Sequence, residues 1–173
     1  MPIINPNFKR AKKTYLFKCV VVLIVMLIVL TNLQLISMNA ILGAIGASSL
    51  ASSIFICFAL PRSPAAEPRR MIGSYVIGIL IGIIFYYIAT YLMNVYSSLS
   101  TGIVYEITGS LAVAITMFLM VFFSLEHPPA AGMALGIVID PWRDETLLVI
   151  IVAIILIAIA KEFLRPWLLT DSP

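Results

Sequence analysis

The chain has 173 residues, of which 62% are hydrophobic and 11% are charged, and its mean hydropathy is +1.10. A soluble domain is usually about half apolar and about a quarter charged, so this composition excludes an ordinary water-soluble domain and predicts an all-α membrane protein. The net charge is +3, and the basic residues at the start abut a long apolar run, which is typical of a membrane-helix flank and argues against nucleic acid as a partner.

The first predicted element is a basic amino-terminal segment, residues 1–15, followed by an apolar span from Leu16 to Ile36. The bias of Lys and Arg toward the cytoplasmic side of membrane helices places this segment in the cytoplasm. The apolar run exceeds the ~7–15 residues of a signal peptide, and no small-residue cleavage site follows it. Residues 16–165 are therefore expected to form a single transmembrane helical domain, with 166–173 as a carboxyl-terminal tail.

The second span, Asn39 to Leu60, is rich in small and hydroxylated residues, among them Ser48, Ser49 and Ser52. Small residues let membrane helices approach closely, and serine hydroxyls form hydrogen bonds between helices. The pattern predicts either a buried packing helix or a helix whose hydroxyls line the path of a solute.

The polar segment 61–70 contains three prolines and three arginines, Arg62, Arg69 and Arg70. After two spans it returns to the side of the amino terminus, where basic loops are favoured. Arginines at the mouth of a membrane protein attract anions, so Arg62 and Arg69 are candidate substrate-binding residues.

The third span is predicted from Met71 to Met93 and carries Gly78 and Gly82 in a GxxxG spacing. This spacing is a weak signal whose default meaning is close helix packing. Residues 94–106 lack Lys and Arg and are predicted to form an outer loop. The fourth span is predicted from Ile107 to Leu125.

The stretch "EHPPAAG" after the fourth span contains Glu126 and the only histidine of the chain, His127. Pro128 and Pro129 lack backbone donors and disfavour helical backbone in the residue before each, so the helix must break here. Proline suits a first helical turn, and a new helix is expected to begin at Pro129. The two side chains are expected to pair, with Glu126 controlling the charge of the imidazole.

The residues after this break, Ala130, Ala131 and Gly132, would present backbone N–H groups at a helix amino terminus, which is a favourable place for an anion. An ionisable residue at membrane depth predicts a functional site. This pattern predicts a polar vestibule for a small anion. The alternative is an interfacial loop with a solvated His127. The apolar segment 130–139 is too short to cross a ~30 Å hydrocarbon core alone.

A last span is predicted from Thr146 to Leu164, which makes about five hydrophobic spans. If segment 128–139 runs outward as a broken or re-entrant helix, the last span returns the basic carboxyl terminus to the inner side. The segments "FALPRSPAA" from Phe58 and "FSLEHPPAA" from Phe123 match at five positions, which suggests an internal two-fold repeat of the kind found in transporters.

The segment "EHPPAAGMALG", together with "GAIGASSLASSIFICFALPRSPAAEPRRMIGSYVIGILIG" earlier in the chain, resembles the HPP family of small integral membrane proteins, named for a His-Pro-Pro motif. The motif falls on His127, Pro128 and Pro129. The resemblance implies a multi-pass protein, and plastid and cyanobacterial members of the family are linked to nitrite transport.

The residues predict a transporter or channel for a small inorganic anion in the inner membrane of a bacterium, and the resemblance implies nitrite as the substrate. Its expected partners are the lipid bilayer and further copies of the same chain. A structural or partner-binding membrane protein is the alternative, and an enzyme using Glu126 and His127 as acid and base is a third interpretation. Neither a cofactor nor a metal is expected, since the chain has no second histidine, CxxC or HExxH.

Overall fold

The computed structural model describes residues 12–36, 40–96, 100–139 and 144–169, and these are almost entirely helical, without a strand. The all-α fold predicted from the composition is therefore confirmed. The helices are α1 (Lys12–Ile36), α2 (Ala40–Ala59), α3 (Pro68–Val95), α4 (Thr101–Phe122), α5 (Pro129–Ile139) and α6 (Asp144–Leu169), with a short 3₁₀ turn at Pro64–Ala66 between α2 and α3.

Several helix ends differ from the predicted bounds. α3 begins at Pro68 instead of Met71, because proline is tolerated at a first helical position, where its missing N–H is not needed. α4 begins at Thr101, so the loop between α3 and α4 is shorter than 94–106. α6 continues through Pro166 to Leu169, and the predicted end at Leu164 was too early.

The predicted break at the His-Pro-Pro stretch is confirmed. α4 ends at Phe122, and Ser124 adopts a left-handed backbone conformation with φ of 54°. The next amide, of Leu125, turns back to donate to the carbonyl oxygen of Met120 at 2.8 Å, which is a helix-ending pattern that usually has glycine at the left-handed position. The helical ladder resumes only at Pro129.

α5 is the central helix of the structure, and it packs against α2, α3 and α4. It runs in the same direction as α3, because Gly78 faces Ala130 and Gly82 faces both Ala134 and Ile137. The GxxxG spacing thus serves close helix packing, as its default meaning predicted. With 11 residues, α5 extends about 16 Å, or about half of the hydrocarbon thickness.

The helix directions agree with the re-entrant arrangement. The loop before α3 and the loop after α4 lie at one end of the molecule, since the side chains of Arg70 and Glu126 form an ion pair. α6 returns to that same end, where Arg62 lies 3.4 Å from the backbone oxygen of Leu169. Which membrane side this end faces stays a prediction.

The outer surface of the bundle is apolar along its length, as expected for helices that face lipid. Three described helical segments are long and apolar enough to cross a bilayer, namely Pro68–Val95, Thr101–Phe122 and Leu147–Leu169. Leu16–Ile28, Ala47–Ala59 and Pro129–Ile139 are shorter apolar helical segments. The exposed side chains include Leu23, Leu27, Ile84, Tyr91, Phe118, Val121, Ile151, Leu156 and Phe163.

The two matching segments share local geometry but not surroundings. In each, a long helix ends just before the segment, and helical turns resume at a proline, Pro64 in the first copy and Pro129 in the second. The equivalent cation-capable residues differ, since Arg62 is exposed whereas His127 is fully buried. A common origin of the two segments stays a prediction.

Candidate functional site: a buried imidazole and hydroxyl network

His127 lies in the connection between α4 and α5 and has no exposed surface. Its Nδ1 is 2.7 Å from the backbone oxygen of Ala65, in the 3₁₀ turn before α3. Its Nε2 is 2.8 Å from Oγ of Ser53 on α2. A carbonyl oxygen can only accept, so Nδ1 carries a hydrogen, and a neutral ring accepts from Ser53 at Nε2.

The network continues from Ser53 into the bundle. Oγ of Ser53 is 2.8 Å from the hydroxyl of Tyr75 on α3, and that hydroxyl is 2.8 Å from Oγ of Ser49. Ser49 donates to the backbone oxygen of Pro129 at 2.7 Å, at the start of α5. These three hydroxyl side chains together with His127, here called the relay, join α2, α3, α5 and the 3₁₀ turn.

The positions of the relay residues follow from helix geometry. Ser49 and Ser53 are four residues apart and therefore share one face of α2. That face is buried, whereas Ser48 and Ser52, one residue earlier in each case, lie exposed. Of the three serines predicted to bind an anion, only Ser49 reaches the site.

Tyr75 and Ser53 were not predicted as site residues. Tyr75 is 1% exposed, and its ring packs against the imidazole at a centroid distance of 5.8 Å. The available signal was a tyrosine in the first turns of an apolar helix, next to the polar 61–70 loop. A buried tyrosine hydroxyl needs a partner, which predicts a nearby polar group but not its identity.

The predicted pairing of Glu126 with His127 is wrong. Glu126 forms an ion pair with Arg70, which also contacts Glu67 at 3.3 Å. Both ring nitrogens of His127 have other partners, as given above. The imidazole and the adjacent carboxylate thus belong to separate networks because successive residues in this non-helical connection point in different directions.

The predicted anion seat at the amino terminus of α5 is also not free. The amide of Ala130 donates to the backbone oxygen of His127 at 3.1 Å, and the amide of Ala131 donates to that of Pro128 at 3.0 Å. Pro128 and Gly132 lie on the exposed side. His127 and Ala130 are both completely buried, and the polar vestibule for an anion beside them stays a prediction.

A separate polar recess lies at the same end of the bundle. It has a volume of about 350 Å³ and three cationic side chains in its wall. The lining residues are Pro61, Arg62, Ser63, Glu67, Lys161, Arg165, Leu168 and Leu169. Arg62 therefore lines a cavity, as expected for an arginine at the mouth of a membrane protein. Arg69 is exposed and lies outside this wall.

The charge in the recess is positive. Among the described lining residues the one carboxylate, on Glu67, is in contact with Arg70, which lies outside the lining. Lys161 and Arg165 share Glu162, with N–O distances of 3.4 Å and 3.3 Å. Lys161 is only 6% exposed, so its charge acts in a region of low dielectric constant, where its interaction with an anion is stronger than in water.

Burial determines the protonation of His127 at rest. Its pKa lies below the usual value of 6.5 because burial disfavours the charged ring, and the hydrogen bond to the backbone oxygen of Ala65 opposes this in part. The ring is thus neutral at pH 7.

The helical bundle, its apolar exterior and its half-length central helix define an integral membrane protein with several spans and a broken-helix segment. The sequence matches the family described as "HPP, transmembrane region" over residues 8–165. The chain belongs to this family, as the resemblance in its His-Pro-Pro segment predicted.

The sequence is also similar to transmembrane protein DDB_G0269096 of Dictyostelium discoideum, with 31% identity over 87 residues. The matched region covers 50% of this chain and 27% of that protein. No solved structure matches the chain significantly.

Proposed function

We propose that this protein transports a small inorganic anion across a membrane, with nitrite as its substrate. The single observation that supports this most is the recess lined by Arg62, Lys161 and Arg165, where cationic side chains outnumber carboxylates. An inorganic anion is small enough for a cavity of about 350 Å³. Its negative charge would be stabilised there because part of the wall is shielded from water.

The anion site of this proposal is the recess, in place of the amino terminus of α5. The segment 61–67 separates the two regions: Arg62, Ser63 and Glu67 face the recess, whereas the backbone oxygen of Ala65 bonds to His127. Movement of this one segment would open the recess toward the bundle interior. In this proposal the relay would act as an inner barrier to the anion.

The location that goes with this proposal is the inner membrane of a bacterium. Basic residues gather at the end of the bundle where the recess lies, and such residues favour the cytoplasmic side. The recess would then be the cytoplasmic mouth of the transporter.

The proposal is tested by flux into proteoliposomes. Purified protein should carry nitrite faster than empty vesicles do, and nitrate and formate serve as comparison anions. Lys161→Gln should reduce the rate about tenfold, because it removes a largely buried positive charge. Lys13→Gln, which removes an exposed positive charge of α1 outside the recess, should leave the rate unchanged.

Absence of flux above empty vesicles for all three anions would reject the proposal. Equal rates for the Lys161 variant and the wild type would remove the recess from the mechanism.

One observation favours a second candidate, a structural membrane protein without transport. His127 is fully buried, and both of its ring nitrogens are bonded. A packing role would explain this arrangement as well. The flux measurement separates the candidates, since a structural protein would give no flux while remaining folded in the vesicles.

A further inference from the structure

The relay has more hydrogen-bond contacts than it has hydrogens when the imidazole of His127 is neutral. Both of its ends are backbone oxygens, of Ala65 and Pro129, and these can only accept. Five contacts of 2.7–2.8 Å connect them through the imidazole and three hydroxyls. A neutral imidazole has one N–H and each of the three hydroxyls has one O–H, which makes four hydrogens. One of the five contacts is therefore left without a hydrogen.

An imidazolium supplies the missing hydrogen, and only one arrangement then satisfies all five contacts. Ser49 must donate to Pro129, so it accepts from Tyr75, which in turn accepts from Ser53. Ser53 then accepts from Nε2 of His127. Oγ of Ser53 also lies 3.2 Å from the backbone oxygen of Ser49, a further acceptor that increases the demand for hydrogens.

We propose that His127 is a proton-binding site and that the hydroxyl of Ser53 turns from the ring toward Tyr75 to stabilise the bound proton, with Tyr75 and Ser49 completing the chain of donors. The proton comes from bulk water and forms one N–H bond at Nε2, which adds one positive charge to the site. No bond between heavy atoms changes. The two protonation states therefore differ in the direction of the Ser53 hydroxyl, whereas Ser49 donates to the backbone oxygen of Pro129 in both.

The charged groups around the site do not supply a partner for this proton. Glu126 and Glu67, the two carboxylates closest in sequence, both contact Arg70. α5 has no titratable side chain, and α2 presents a thiol, Cys57. Among the described residues, the other charged or titratable side chains on the segments around this end of the bundle include Lys13, Lys18, Arg62, Arg69, Tyr75, Lys161, Glu162 and Arg165.

Two effects act on the bound proton in opposite directions. Burial disfavours the positive ring, whereas a complete set of hydrogen bonds favours it. Their competition makes the site exchangeable, so that His127 is neutral at rest and takes up a proton in acid.

The link to transport rests on the proposed function. An anion in the recess would lie across segment 61–67 from the ring and would stabilise the imidazolium. By reciprocity, the proton would strengthen anion binding by the same factor.

The chain offers an unusually clear test because it has only one histidine. Protein labelled with ¹⁵N-histidine and carrying a tag without histidine is titrated in lipid nanodiscs from about pH 8 to about pH 4, a range that brackets an unperturbed histidine. The ring nitrogen shifts should show hydrogen at Nδ1 in base and at both nitrogens in acid. A ring that keeps one neutral tautomer throughout, in protein that stays folded, would overturn the proposal.

Two variants test the role of the hydroxyl chain. Tyr75→Phe removes two contacts and one hydrogen, and Ser49→Ala does the same, so in each variant a neutral ring satisfies every remaining contact. Each should lower the proton affinity of His127 about tenfold, by about one pKa unit, because the hydrogen-bond advantage of the charged form is lost.

Ser52→Ala is the matched control, because this exposed serine on the same helix donates to its own helix backbone at Ser48. It should titrate like the wild type. If His127 titrates with the same midpoint in all three variants and in the wild type, the proposed role of the relay in stabilising the proton is overturned. Circular dichroism and size exclusion verify that each variant is folded.

Titration with added sodium nitrite tests the link to the anion. The midpoint should rise with nitrite in the wild type and rise less in Lys161→Gln. If His127 titrates as proposed but nitrite moves neither midpoint, the proton site stands and its coupling to an anion is refuted.

Discussion

The contact between α3 and α5 at Gly78 gives a sharp prediction about stability. A Cβ at this position would lie 2.5 Å from the backbone oxygen of Ala130. That distance is about 0.9 Å shorter than the 3.4 Å at which ordinary van der Waals contact begins. The obstacle is backbone, which cannot rotate away, so Gly78→Ala must separate the two helices.

The expected loss in the free energy of unfolding can be estimated from this geometry. Overpacking costs about 1–3 kcal/mol, and a rigid backbone contact belongs at the upper end. Replacing a helical glycine with alanine returns about 1 kcal/mol. The net loss is therefore about 2 kcal/mol, which corresponds to a fall in Tm of about 4–8 °C for a chain of this size.

Gly132→Ala provides the control within the same packing unit. Gly132 lies in α5, is exposed, and has no atom within 4 Å of an added Cβ. This variant should gain about 0.5–1 kcal/mol. Thermal unfolding in detergent, followed by circular dichroism, measures both. Equal stability of the Gly78 variant and the wild type, or a comparable loss in the Gly132 variant, would refute the close contact of α3 with α5.

Three further predictions concern the helix break and its surroundings. Ser124→Gly should raise the free energy of unfolding by about 1 kcal/mol in chemical denaturation, because glycine adopts the left-handed conformation without strain; an unchanged midpoint would argue against that conformation. Arg70→Met should destabilise the protein more than the double change Arg70→Met/Glu126→Gln, since the single variant leaves a half-buried carboxylate without its cation; additive losses would contradict this coupling. The lowered pKa of His127 means that the unfolded chain binds the proton first, so Tm should fall as the pH drops below about 6.5, and His127→Asn should lose this part of the slope.

The sequence predicted the elements whose causes are local. Pro128 and Pro129 interrupt a helix whatever the rest of the chain packs against. In the structure, α4 ends at Phe122 and α5 begins at Pro129. The charge distribution predicted the helix directions, because it acts through the position of each loop and needs no knowledge of packing. The start of α4 and the end of α6 were missed because apolar composition marks the membrane core and not the turns that extend beyond it.

The site was less predictable because its contacts join distant residues. α2 is apolar around its circumference, so its two serine pairs, Ser48 with Ser52 and Ser49 with Ser53, look equivalent in sequence. Packing alone decides which pair faces inward. The partner of Glu126 is Arg70, 56 positions away, and no local pattern indicates that pairing. Self-association of the chain stays a prediction.

Proton-driven nitrite flux tests the proposed mechanism most directly. Proteoliposomes with equal nitrite inside and outside are given an inward proton gradient, and empty vesicles measure the passage of the neutral acid. The wild type should accumulate nitrite beyond the empty vesicles, and Tyr75→Phe should accumulate much less while remaining folded. Accumulation that equals that of empty vesicles, or that is the same in both proteins, would contradict an anion transporter coupled to the proton on His127.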